Sequence, residues 1–230
     1  TCYLQALQHR PDYAKALNNL GSVLKAQGKV EAAEARFRAA LVCDAAGVES
    51  LINLGSLASV PVAEAEIHLH RACQLAPHNP AAWTELGLVL QRQEKWDDAA
   101  ACYQKALHFQ LYWSRYNNLR LVWLHQNHLS KSEGALRQAL ALSPDNAVVL
   151  NNLGNTLKAQ GRLSEAVACL RQAVAQRSED AECQNNLGLA LHEQDQFTEA
   201  EACFRQALML QPDYAEAWSN LGTLLKDCTR

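Results

Sequence analysis

The fold class predicted by the sequence is all-α, built from stacked helix pairs. Three observations carry that prediction. One stretch recurs: ALNNLGSVLKAQGK at 16–29 returns as VLNNLGNTLKAQGR at 149–162, more loosely as CQNNLGLALHEQDQ at 183–196, and from Ala217 as AWSNLGTLLKD. Its Leu-Gly core keeps a near-constant spacing. Leu20, Leu54, Leu86, Leu119, Leu153, Leu187 and Leu221 are separated by 34, 32, 33, 34, 34 and 34 residues, and Gly follows each except Leu119, which precedes Arg120. A period of about 34 fits one helix–turn–helix per repeat. The second half of each repeat carries its own mark. Ala33-Phe37-Ala40, Ala65-Leu69-Ala72, Ala99-Tyr103-Ala106, Ser132-Leu136-Ala139, Ala166-Leu170-Ala173 and Ala200-Phe204-Ala207 all fall at i, i+4, i+7. That spacing places a small–large–small stripe on one helix face, where a neighbouring helix can approach closely.

Pro11, Pro77, Pro144 and Pro212 each follow a helical stretch at a point where a helix cannot continue. With Trp83-Thr84-Glu85-Leu86-Gly87 and Trp218-Ser219-Asn220-Leu221-Gly222, the whole pattern resembles the tetratricopeptide repeat: W-x2-L-G, then Ala, an aromatic, Ala and a closing Pro. The resemblance runs the length of the chain. It implies a right-handed α-solenoid superhelix of about six helix pairs, with a concave groove lined by the first helix of each repeat.

In chain order, residues 1–13 read as the tail of a repeat, with Tyr3, Ala6 and Pro11 at its aromatic, Ala and Pro positions. Repeats follow at about 14–47, 48–79, 80–112, 113–146, 147–180 and 181–214, and 215–230 supplies one more first helix, all within a single domain over 1–230. Gly28 suits the turn inside the first repeat, where glycine adopts a left-handed conformation freely. The second repeat is two residues short near Ser56–Val62, where Pro61 stands in the turn, so a shortened first helix is expected. Trp83, Trp96 and Trp123 fall at core positions. The fourth repeat departs most: Arg120 replaces Gly at the closest helix contact and Ser132 replaces Ala. Arg120 is expected to part its two helices or to point outward, and the junction residue Trp113 is expected to be exposed. Beginning and ending mid-repeat suggests a piece of a longer protein, or ends that pair with a second copy.

Composition narrows the function classes. Net charge is −3 with no basic stripe, which argues against a nucleic-acid partner. Apolar runs are far too short for a membrane helix, and the N-terminus lacks a signal-peptide layout. Among eight cysteines no C-x-x-C pair occurs; Cys2, Cys102, Cys169 and Cys203 hold one equivalent place in four repeats and read as small core residues. Reduced thiols favour a reducing, cytoplasmic setting. His70 and Cys73 share a helix face but have no second pair of metal ligands beside them, so no metal and no cofactor are expected. No local signature supports a catalytic triad or a phosphate loop, so these residues are not expected to form an enzyme.

One ladder stands out that folding alone does not demand. The residue before each Leu is Asn19, Asn53, Asn118, Asn152, Asn186 or Asn220, broken only by Glu85. The preceding residue is often Asn as well: Asn18, Asn117, Asn151 and Asn185. Asparagine is a mediocre helix former, and its amide offers one acceptor and two donors. A row of such amides can hold an extended peptide by its backbone. The ladder resembles that of the superhelical arm of O-linked N-acetylglucosamine transferases, which implies peptide binding there; nothing resembles their catalytic domain. The competing reading is that the asparagines bond neighbouring helices together, and both readings are compatible. Co-chaperones of the family place Lys just before the ladder Asn to grip a carboxylate, whereas this chain has Asn18, Ile52, Thr84, Asn117, Asn151, Asn185 and Ser219 there, which argues against such a clamp. Lys25, Lys158 and Lys226 recur one turn further on. The expected function is therefore protein–protein interaction through an extended peptide or a partner helix. The alternatives are the substrate-recruiting arm of a larger enzyme and a self-associating scaffold.

Overall fold

The computed structural model describes residues 2–228, which form fourteen α-helices and no strand. The chain divides into two compact units, Thr1–Leu111 and Tyr112–Arg230.

The first unit holds α1 (Cys2–His9), α2 (Ala14–Ala26), α3 (Val30–Cys43), α4 (Val48–Gly55), α5 (Val62–Leu75), α6 (Pro80–Arg92) and α7 (Trp96–Phe109). Helices α2, α4 and α6 are the first helices of successive pairs, closed by α3, α5 and α7. The shortened second repeat has a short first helix, α4, of 8 residues against 13 in α2 and α6, and a longer turn, at 56–61, before α5. The second unit holds α8 (Trp113–His125), α9 (Leu129–Leu142), α10 (Ala147–Ala159), α11 (Leu163–Gln176), α12 (Ala181–His192), α13 (Phe197–Leu210) and α14 (Ala215–Cys228). Here α8, α10 and α12 are first helices paired with α9, α11 and α13, and α14 packs on α13.

Local chemistry sets the helix limits. Asn79 accepts from the backbone N–H of Ala81 and Ala82, Asn146 from Val149 and Asp180 from Cys183, so each starts its helix as a side-chain cap. Turns within five of the six pairs use a left-handed residue, and the α4–α5 turn does without one. Gly28 supplies it at φ 75° and Gly161 at φ 77°, whereas Glu94, Asn127 and Asp195 adopt it at 59°, 58° and 61°. The backbone N–H after each of them bonds back to the helix: Lys29 to Leu24 and Arg162 to Leu157, both at 3.0 Å.

The stripe of the second helices forms the core. Every residue named in it above, Ser132 included, is fully buried. Opposite the large residue sits the glycine of the Leu-Gly pair, and a methyl group there has no room. A Cβ on Gly87 would lie 2.6 Å from the Tyr103 ring, and one on Gly154 would lie 2.5 Å from Leu170 Cγ.

Four expectations need correction. Arg120 does not turn outward: it is 9% exposed, on a helix that still pairs with α9. Trp113 is half-buried against the cluster of Leu136, Ala139 and Val149. Trp83, Trp96 and Trp123 are half-buried rather than enclosed. The Trp83 indole N–H donates to the Pro77 carbonyl at 2.7 Å, and the Lys105 ammonium lies 4.3 Å over its ring. The repeated cysteine position is also wetter than expected: Cys102 is buried, Cys169 and Cys203 are half-buried and Cys2 is exposed. It precedes the large stripe residue and so lies at the edge of the buried face.

Candidate functional site: the asparagine ladder

The ladder is a set of hydrogen bonds between successive first helices. In the second unit, Asn152 Nδ2 on α10 donates to Asn117 Oδ1 on α8 at 2.8 Å. Asn186 on α12 donates to Asn151 on α10 at 3.0 Å, and Asn220 on α14 donates to Asn185 on α12 at 2.9 Å. In the first unit, Asn53 on α4 donates to Asn18 on α2 at 3.0 Å. The donor is always the Asn directly before Leu, and the acceptor is always the earlier Asn of the preceding repeat. The two ladder positions therefore do different work. Acceptors Asn18, Asn151 and Asn185 are buried, at 5%, 5% and 2% exposure, while donors Asn53, Asn152, Asn186 and Asn220 are half-buried.

The break in the ladder follows from this pairing. Ile52 replaces an acceptor on α4, and Glu85 replaces the facing donor on α6. An isoleucine offers no acceptor, and a carboxylate offers no donor, so the two departures belong to one missing bond. Burial pushes the Glu85 carboxyl above its usual range, with the charges of Lys25 and Arg92 acting in the opposite direction.

A second row of bonds runs one turn beyond. Lys25 Nζ donates to Ser56 Oγ at 2.8 Å, Lys158 Nζ pairs with Glu193 at 3.1 Å, and His192 Nε2 lies 3.2 Å from Asp227 Oδ2. Of the lysines that recur one turn beyond the ladder, Lys25 and Lys158 thus already have partners. Between α10 and α12 these rows border an open depression of about 430 Å³, lined by Asn155, Lys158, Ala159, Asn186 and Glu193. Asn118 and Asn19 are half-buried, and neither makes a side-chain hydrogen bond to another described residue.

The second helices are stitched differently, by a pattern the sequence reading missed. Arg38 pairs with Glu64 at 2.6 Å, Arg171 with Glu199 at 2.7 Å, and Arg137 with Glu165 at 3.8 Å. The Arg follows the large stripe residue, and the Glu precedes the first Ala of the next stripe, so the signal was present in the register. In the fourth repeat, Arg120 has its Nε enclosed with no hydrogen-bond partner, and burial lowers its pKa. His68 and His70 face carboxylates of their own helix, Glu64 at 3.3 Å and Glu66 at 3.7 Å. No helix among the described residues is long and apolar enough to cross a membrane.

Solved structures share this architecture. The chain aligns with a chain of the APC/C hetero-tetramer Cut9–Hcn1 at 17% identity and TM-score 0.79, covering 97% of itself and 45% of that chain. It aligns with PilF of Pseudomonas aeruginosa at 18% identity and TM-score 0.78, covering 92% of itself and 97% of PilF. With YrrB, a tetratricopeptide protein with an unusual peptide-binding site, identity is 18% and TM-score 0.55, covering 95% of this chain and 97% of YrrB. At these identities the likeness concerns the fold alone. No curated protein matches the chain. Three family models, each describing a tetratricopeptide repeat, match residues 2–35, 80–110 and 145–213, together more than half of the sequence. With the helix pairs, the glycine contacts and these matches, the chain belongs to the tetratricopeptide repeat family.

Proposed function

We propose that this chain is a protein–protein interaction scaffold whose first-helix face binds an extended peptide along the asparagine ladder. One observation carries the reading. Asn152, Asn186 and Asn220 each commit one N–H to the preceding helix, while their Oδ1 accepts no hydrogen bond from any described residue. Each half-buried amide therefore keeps an acceptor and a second donor. An extended peptide presents alternating N–H and C=O groups, which such amides can meet with little regard for side chains. The bond to the preceding helix fixes the rotamer in advance, so less side-chain freedom is lost when a ligand arrives. The ladder's resemblance to the arm of O-linked N-acetylglucosamine transferases supports the same reading, as does the peptide-binding site of YrrB. A non-catalytic role for these residues and a cytoplasmic setting belong to the proposal, the latter supported by eight free cysteines.

The test is a random-peptide display selection on the full chain, followed by titration of the selected peptides against Asn118→Ala. Asn118 makes no side-chain bond to a described residue, so its loss should spare the fold. A several-fold weaker affinity at unchanged melting temperature is expected. Unchanged affinity for every selected peptide would move the site away from the ladder.

A further inference from the structure

Glu85 is the one carboxylate in a row of amides. It occupies on α6 the position that Asn186 holds on α12, directly before the Leu-Gly pair, and Asn186 lines the open depression between α10 and α12. The equivalent asparagines each donate to the preceding first helix. Glu85 cannot donate, and Ile52, which faces it in the register of the ladder, cannot accept. Glu85 is half-buried, and it makes no hydrogen bond or ion pair with any described residue.

The charges around it leave this carboxylate unneutralised. Lys25 and Arg92 act on it electrostatically, but neither reaches ion-pair distance. Lys25 is held by Ser56 Oγ at 2.8 Å. The Tyr103 hydroxyl, which also senses Glu85, donates to Gln91 Oε1 at 3.0 Å. A half-desolvated carboxylate with no donor is an unfavourable arrangement on its own, and a charged donor from outside relieves it. An amide at this place would accept and donate alike; a carboxylate only accepts. The change from Asn to Glu therefore turns a sequence-tolerant position into one that selects for a cation.

We infer that Glu85 is a specificity-determining residue of the first unit, receiving a lysine or arginine side chain of the bound peptide. The inference rests on the proposed peptide binding and adds the class of side chain read at α6. An acidic side chain is repelled at the same place, so discrimination has both an attractive and a repulsive part.

The experiment pans one random-peptide display library on the full chain and on its Glu85→Gln variant. Wild-type selection should enrich Lys or Arg at one position, and selection on Glu85→Gln should not. The best wild-type peptide should bind Glu85→Gln about tenfold more weakly, as expected for one charge-assisted hydrogen bond. Its counterpart with the basic residue changed to methionine should bind both proteins alike. Glu85→Gln should melt no lower than wild type, because no described partner is lost; a lower melting temperature would contradict the unpartnered carboxylate. Selected peptides without a basic preference, or an equal loss for both peptides, overturn the role of Glu85 and leave the ladder reading standing. Recovery of no peptide on either protein overturns the ladder reading and this inference with it.

Discussion

Asn186 on α12 donates its side-chain N–H to Oδ1 of Asn151 on α10 at 3.0 Å, and Asn151 is only 5% exposed. Truncating the donor leaves that enclosed oxygen without a partner. Asn186→Ala should therefore cost about 1–3 kcal/mol of unfolding free energy. A urea titration checks this, with a lower midpoint at unchanged slope expected. Asn118→Ala, which breaks no described bond, should stay within about 0.5 kcal/mol of wild type. Equal losses for the two variants would mean that the ladder bonds contribute nothing specific to stability.

Packing gives a second contrast, between two glycines of the same motif. A Cβ on Gly154 would lie 2.5 Å from Leu170 Cγ, whereas one on Gly222 meets nothing within 4 Å. Gly154→Ala should destabilise by about 1–3 kcal/mol through overpacking. Gly222→Ala should be neutral or stabilise by up to about 1 kcal/mol, because alanine is the better helix former. Ala173→Leu, at a fully buried stripe position, should behave like Gly154→Ala. Thermal melts of the three variants decide the matter, and a destabilised Gly222→Ala would contradict the contact geometry.

Arg120 supplies a third prediction. Its Nε is enclosed without a hydrogen bond, and burial depresses its pKa. Arg120→Met keeps much of the bulk and removes the stranded charge. It should raise stability by about 1–3 kcal/mol, the range for relieving a buried unsatisfied polar group. A loss of stability would show that the guanidinium makes a contact worth more than its desolvation costs.

Most of the fold was legible because it repeats. The Leu-Gly core, the small–large–small stripe and the closing prolines each encode one contact, and repetition separates that signal from chance. What stayed hidden depends on single side chains. The left-handed turns at Glu94, Asn127 and Asp195 carry no glycine, so composition alone did not mark them. Trp83 was assigned to the core by position, yet it bonds to Pro77 at the edge, because an indole N–H needs a partner and finds one there. The two readings of the ladder could not be separated from sequence. Spacing shows that the asparagines recur, but not that Asn152 reaches Asn117 while leaving its own oxygen open. The coupled change of Ile52 and Glu85 was readable only once the pairing rule was known.

Thiol reactivity should divide the cysteines by burial. Cys73 and Cys183 are buried, and burial pushes both thiols up to about 12, while Cys102 is pushed up to about 11. At neutral pH these three should stay protonated and resist alkylation in the native protein. Cys2, Cys43 and Cys228 are exposed and should react first. Mass spectrometry of peptides after brief iodoacetamide treatment, with and without urea, gives the order. Early labelling of Cys73 would contradict the packing of α5.

The side-chain amide resonances of the ladder test the central claim most directly. In a nitrogen–proton NMR titration with a peptide recovered by display selection, the half-buried Asn118, Asn152, Asn186 and Asn220 amides should shift. The buried Asn151 and Asn185, whose oxygens accept from Asn186 and Asn220, should shift little. Shifts confined to the second helices or the loops, with the ladder amides unmoved, would show that the asparagines hold the helices together and bind nothing.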